Sequence, residues 1–451
     1  MRTARNSRNA RHPETLLGNI RQFLTPQVWR QARRANPWRR ASPRWDLQPL
    51  VLVMMAMTWT AGDSQAERFE IARGFYATCY HARRRPGATV QGFQKALSRL
   101  PTRPLKALAA EARREIRNRY GSRLLVDGFE PMGCDGSRIE CPRTPELERR
   151  LRRSGSANSP PTVWLTALVH LSTGLLWSWR LGPGTASESE HLKRLLPTLS
   201  SRALIVCDAA YMGYDLVQAI VQSQRSFLFR MSSRVHLHTR QREKLATWSE
   251  GPVWYWPKEV QDKNGPAIPC RLIRVPARKG AKRDVWLLTD VLAPTRLSIA
   301  AASRFYRWRW RNEGAFRTYK RTIGKLKLSS RVTRLVHREA ELSLLATQIL
   351  LAHADLALRP VGSETSGEPA ISPRKVLIEI RKELQGWAAR RSGCYGERLE
   401  RCRADERRQR SPKATRDWPR RKVHKPPKPP KLHTLCREQN LILDNNLRAA
   451  S

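Results

Sequence analysis

The fold class that this sequence predicts is an α/β core between an all-helical N-terminal domain and a basic C-terminal tail, and three observations carry it. Apolar runs of strand length at 123–134, 162–170, 175–181, 203–207 and 226–230 are interleaved with helix-period segments at 188–196 and 214–222. The stretch 46–116 keeps helical spacing, with Leu50, Val53, Met54 and Met57 on one face. From 407 to 431, eleven basic residues stand against Asp417 alone and include the run KPPKPPK, a composition that cannot bury a core and predicts disorder.

Taken in order, residues 1–45 hold eleven Arg and one acid, Glu14, with Trp29, Trp38 and Trp45 interspersed, which reads as a DNA-contacting arm. With the helices that follow, they make a first domain over 1–120. Three strands, helix, strand, helix, strand over 121–231 is the ribonuclease H-like order. Asp135 then ends the first strand and Asp208 the fourth, on neighbouring strands, and open α/β sheets place their chemistry beyond strand carboxyl ends. Residues 232–290 change to short alternating runs with turn residues, which predicts a β-rich insertion interrupting the core. Its Trp248, Trp254, Trp256 and Trp286 are expected to pack a small core, with stacking of one of them on an extruded base as the alternative. Helices resume over 291–358, with the apolar run 342–351 against the sheet. The remainder, 359–451, reads as a basic region, partly disordered.

The 451 residues provide for two or three domains, and a hydrophobic content of 40% supports a folded centre. A net charge of +47, from 85 basic and 38 acidic residues, calls for a polyanionic partner, and nucleic acid comes before a lipid surface. The apolar stretch 50–57 is too short to span a bilayer and the Arg-rich segment before it lacks a small-residue cleavage site, so a cytosolic protein without a membrane role is expected. Eight cysteines without a CxxC pair speak against a zinc ribbon and a disulfide framework. His236 and His238 alternate in a predicted strand as a surface pair.

The densest signal is 306–320, YRWRWRNEGAFRTYK. On one continuous helix, Tyr306, Arg309, Glu313 and Lys320 fall within about 60° of arc, at about 100° per residue. Cations beside a carboxylate on one face suit a site that holds both metal and phosphate. Trp308 and Trp310 lie off the stripe, where packing is expected.

The spacing Y-x2-R-x3-E-x6-K resembles the signature of the insertion-sequence-4 family of DDE transposases. So do Asp135 within GCDGSRIECPRT, Asp208 within ALIVCDAAY, and the block LSTGLLWSWRLGPGTASESEHL, a likeness covering about 125–350. Asp127, Asp215 and Glu339 are rival carboxylates without the surrounding family text. Ala210 departs from the Gly common there, which puts the local backbone geometry in question. The resemblance implies a cut-and-paste transposase of a bacterial cytoplasm, associated with the nucleoid. It would act as a homodimer on double-stranded DNA, both element ends and target. Asp135, Asp208 and Glu313 would be the catalytic, metal-holding triad for two Mg²⁺ ions, with Mn²⁺ as a substitute, and Tyr306, Arg309 and Lys320 would contact DNA. A catalytically inactive DNA-binding remnant and a ribonuclease H-like nuclease are the alternatives.

Overall fold

The computed structural model describes residues 15–35, 44–80, 85–152, 158–277, 284–358, 372–386, 395–402 and 428–450. Among the described residues six helices come first: α1 (Leu16–Phe23), α2 (Pro26–Arg34), α3 (Leu47–Trp59), α4 (Gln65–Cys79), α5 (Val90–Arg99) and α6 (Thr102–Tyr120). The first five begin at Thr15, Thr25, Asp46, Ser64 and Thr89, whose side chains accept a backbone N–H of the first turn. Helix α3 is apolar all round and buried on nearly every side, as a helix without a polar face must be. Residues 15–35 are helical rather than an extended arm, and Trp29 and Trp45 pack in the core. Leu16, Ile20, Phe23, Val28 and Trp29 recur at helical spacing and are buried in the same core as Trp45. The Arg-rich average hid this amphipathic order; Trp38 lies outside the described residues.

The core follows as β1 (Glu130–Glu140), α7 (Pro145–Leu151), β2 (Thr162–His170), β3 (Leu175–Pro183), α8 (Glu188–Leu195), β4 (Ala203–Cys207), α9 (Tyr214–Gln222) and β5 (Ser226–Arg230). These strands stand side by side as β3-β2-β1-β4-β5. β1, β2 and β3 run antiparallel, while β4 is parallel to β1 and β5 to β4. The interior strand β4 is buried throughout: Leu204 and Val206 face one core, Ala203, Ile205 and Cys207 the other. The first strand differs from the expected 123–134. Asp127 and Gly128 turn with φ of 50° and 79°, so β1 starts only at Glu130 and runs on to Glu140.

Residues 232–290 extend the same sheet through β6 (His236–Thr239), β7 (Glu250–Tyr255), the short α10 (Lys258–Gln261), β8 (Ile268–Val275) and β9 (Val285–Thr289), in the order β5-β9-β8-β7-β6. Trp248, Trp256 and Trp286 are buried. Next come α11 (Ile299–Trp308), α12 (Arg311–Arg317), a π-helical turn (Thr318–Thr322), α13 (Thr333–Leu358), α14 (Pro373–Gly386) and α15 (Tyr395–Glu400). Contrary to the expected loss of regularity after 359, α14 buries Val376, Leu377, Ile380 and Leu384 in the helical core. The predicted disorder of 407–427 lies outside the described residues. Beyond it, β10 (Lys431–Thr434) pairs with the sheet edge at β6, and α16 (Arg437–Ala450) sets Leu443 against Trp256 and Leu435. His236 is not half of a surface pair with His238: its ring stacks on His433 of β10, while His238 is buried and bonds the Trp256 carbonyl at 3.2 Å. The described cysteines are free, five of them buried, and no described helix is long and apolar enough to cross a membrane.

Candidate functional site

The pairing of β1 with β4 runs from Glu130↔Ala203 to Gly133↔Val206 and stops there. Asp208 follows the last residue of β4. Asp135 lies two residues past the last β4 partner, inside β1 and opposite Ala167 of β2, rather than ending its strand as the sequence suggested. The physical reason is that β2 keeps pairing β1 where β4 has ended. Both carboxylates therefore occupy the carboxyl edge of the parallel pair. Met132 and Cys134 are buried in the core on one face of β1, which alternation leaves Gly133 and Asp135 to share the other.

Each aspartate is anchored by a backbone amide. Asp135 accepts the Gly136 N–H at 2.8 Å, and Asp208 accepts the Ala210 N–H at 2.9 Å while capping a one-turn 3₁₀ helix, Ala209–Tyr211. Ala210 has no positive φ, so the turn does not require glycine there. Burial raises the Asp135 carboxyl from 3.8 to about 6; the charges of Glu188 and Asp208 add to this, against the Gly136 N–H and the Arg309 guanidinium. Asp208 and Arg309 thus both act electrostatically on Asp135.

Glu188, in the first turn of α8, is a member of this cluster that sequence reasoning missed. Burial raises its carboxyl too, opposed by a hydrogen bond from the buried Tyr211, with Asp208 raising it further. A Cβ at position 136 would lie 2.3 Å from Glu188 Oε1, so the glycine of the DGS motif makes room for this carboxylate. The signal was present in GTASESEHL, but nothing in one sequence says which of its two glutamates turns inward.

The helix expected over 306–320 is broken, which corrects the single-stripe reading. α11 ends at Trp308, and Arg309 N→Tyr306 O and Asn312 N→Arg309 O are tight i→i−3 bonds. After α12 the chain loosens into the π turn, closed by Ile323 N→Thr318 O. Arg309 lies beside Tyr306 and Trp310, its guanidinium carbon 5.7 and 5.5 Å from their ring centroids. Trp310 is 63% exposed, contrary to the packing role expected of it, whereas Trp308 packs beside Phe305. Glu313 is exposed in the first turn of α12. Lys320 is half-buried in the π turn; burial lowers its ammonium and Glu140, at the far end of β1, counteracts this.

Asn312 explains how α12 sits on the sheet. It is fully buried, and a Cβ at Gly133 would lie 2.6 Å from its Oδ1, so the helix rests directly on β1 two residues from Asp135. Neither polar atom of that amide has a hydrogen-bond partner. Arg311 fastens the helix start to the carbonyls of Leu171 and Ser172. Two rival carboxylates are engaged elsewhere: Asp127 pairs with Arg304, and buried Glu339 pairs with Lys325 at 2.7 Å and accepts the amides of Ser329 and Ser330. Asp215 lies in the first turn of α9.

Asp135 and Asp208 form an oxygen-only pair whose mutual repulsion a hard dication would relieve, and in that respect they fit Mg²⁺. Among the described residues no three His, Cys, Asp or Glu side chains are gathered closely enough to hold a metal, so Glu313 does not close a three-ligand group with them.

Residues 134–349, just under half of the chain, match the family described as Transposase DDE domain. Among solved structures, a similar chain is a piggyBac transposase in its synaptic complex with hairpin DNA, with 11% identity and a TM-score of 0.41 over 91% of this chain and 90% of that one. No curated protein matches the chain.

Proposed function

We propose that the chain is a cut-and-paste DNA transposase of the insertion-sequence-4 family, cleaving the ends of its element and joining the freed 3′ hydroxyls to target DNA. The observation that carries this reading is the juxtaposition of Asp135 and Asp208 at the edge of β1 and β4, under the charge of Arg309, inside the segment that matches a transposase DDE domain. In this reading 1–120 binds element ends, 121–231 and 291–358 form the catalytic core, 232–290 is its insertion, and 359–451 adds basic surface. Two copies would hold two ends.

Asp135, Asp208 and Glu313 would hold two divalent cations, which when bound supply activation of the attacking oxygen and neutralisation of the leaving one. Glu313 is exposed and stands apart from the pair, so this role requires α12 to turn toward the sheet. Arg309 has the planar fork for bidentate contact with a phosphate, and the Tyr306 and Trp310 rings restrict its motion. Lys320, half-buried in the π turn, serves a phosphate further along the strand. The π turn that carries it is a feature found frequently at functional sites.

The test pairs gel-shift affinity with Mg²⁺-dependent 3′-end release on one oligonucleotide carrying the element's own terminus. Asp135→Asn, Asp208→Asn and Glu313→Gln should each abolish release and leave binding largely intact. Specific binding by the wild type without release in Mg²⁺ or Mn²⁺ would establish the inactive remnant instead. Cleavage confined to RNA–DNA hybrids would establish the nuclease.

A further inference from the structure

Away from the aspartate pair, the end of α3, the start of α4, the π turn and α14 enclose a cleft of about 610 Å³. Among the described residues six cations line it, Arg68, Arg317, Arg321, Lys325, Arg374 and Arg381, and no carboxylate does. Three are already engaged: Lys325 with Glu339, Arg68 with the Gly62 carbonyl, and Arg381 with the Trp59 carbonyl at 3.0 Å. Arg317, Arg321 and Arg374 are exposed and have no hydrogen-bond or ion-pair partner among the described residues.

So many like charges in one concavity repel, and the repulsion is felt inside it: burial lowers the Arg381 guanidinium and the charge of Arg68 lowers it further. A polyanion would relieve the exposed members of that arrangement together. Position narrows the choice. Arg317 follows Glu313 by four residues on α12, one helical turn or about 6 Å of rise, so the cleft opens where the candidate catalytic helix ends. Arg374 stands in the first turn of α14, where the helix dipole adds to its positive charge.

We propose that this cleft seats the phosphodiester backbone of the duplex DNA that leads away from the cut, with Arg317, Arg321 and Arg374 as its phosphate contacts. The assignment rests on the transposase reading and adds a path for the DNA between the helical domain and the catalytic helix. Contacts of this kind position DNA without reading its sequence.

The experiment measures affinity of the full chain for a 30-base-pair duplex between 50 and 200 mM KCl, without divalent metal. It compares wild type, the double variant Arg321→Ala/Arg374→Ala, and a control that loses the same charge elsewhere, Arg149→Ala/Arg150→Ala on α7. Each phosphate contact contributes about 0.9 to the salt slope, so the cleft variant should lose about 1.8 of slope, or roughly tenfold of the affinity change across that range. The control should keep the wild-type slope, and Arg321→Lys/Arg374→Lys should restore it. Equal slopes in the cleft variant and the wild type, or equal losses in cleft variant and control, would overturn the proposal. Nicking by the wild type is scored separately: its absence with the slope loss present sinks the transposase reading alone, and its presence without the slope loss sinks the cleft alone.

Discussion

Asp135→Asn should stabilise the metal-free protein at the same time as it destroys catalysis. The Asp135 carboxyl lies at about 6 in the folded chain against 3.8 for the free group, so folding strengthens its hold on the proton. A carboxyl raised on folding penalises the native state wherever it is ionised. The penalty is absent below 3.8, grows between 3.8 and about 6, and is complete above about 6. At about 1.4 kcal/mol per pH unit the full gap corresponds to about 3 kcal/mol, which partial exposure reduces to about 1–3 kcal/mol. Asparagine carries no charge, and its carbonyl can still accept the Gly136 N–H. Urea unfolding with EDTA present should therefore place the variant above wild type by that amount at pH 8 and level with it at pH 4. Adding Mg²⁺ should raise the wild-type midpoint and leave the variant's unmoved, since only a site that binds metal gains from it. A variant less stable than wild type at pH 8, or a difference that does not change with pH, would refute the electrostatic account of the pair.

Gly136→Ala forces the Glu188 carboxylate from its place 2.3 Å away; because a flexible side-chain end yields, the expected result is a folded protein with weakened Mg²⁺ affinity by calorimetry. Glu339→Gln leaves the Lys325 ammonium buried without its partner and should cost about 3 kcal/mol in urea unfolding. Despite the cost of burial, Lys325 and the Ser330 contacts hold Glu339 below its usual 4.5, so its contribution is present above 4.5 and lost as pH falls through the folded value. Removing 403–451 takes away β10 and Leu443 from Trp256, and should lower both the thermal midpoint and the salt slope of DNA binding.

The core was legible because its signals are local. Strand β4 is a five-residue apolar run closed by Asp208, and β2, β5 and α9 coincide with their apolar periods because their cores impose that period. What was not legible depended on partners distant in sequence. β1 continues past Asp135 only because β2 pairs it as far as Glu140, a fact of register that no property of GCDGSRIE announces. Glu188 enters the site from a helix that its own sequence places nowhere in particular. β10 has four residues, and its strand character comes from the free edge of β6 that it covers.

The broken catalytic helix shows how a motif can be right in its residues and wrong in its geometry. The arc over 306–320 assumed uniform winding. The tight i→i−3 turn at 309–312 advances about 20° more per residue than an α-helix, so Glu313 is rotated by some tens of degrees from the line through Tyr306. The π turn then advances less per residue than an α-helix, which shifts Lys320 the other way. Arg309 lies before most of that rotation, and it is the stripe residue whose charge acts on Asp135. Asn312, buried on Gly133 with an unpaired amide, anchors α12 close to β1 while its neighbour Glu313 stays in solvent. Because Asn312 and Glu313 are adjacent on one helix and about 100° apart, bringing Glu313 to the aspartates requires α12 to rotate and Asn312 to leave its place on Gly133.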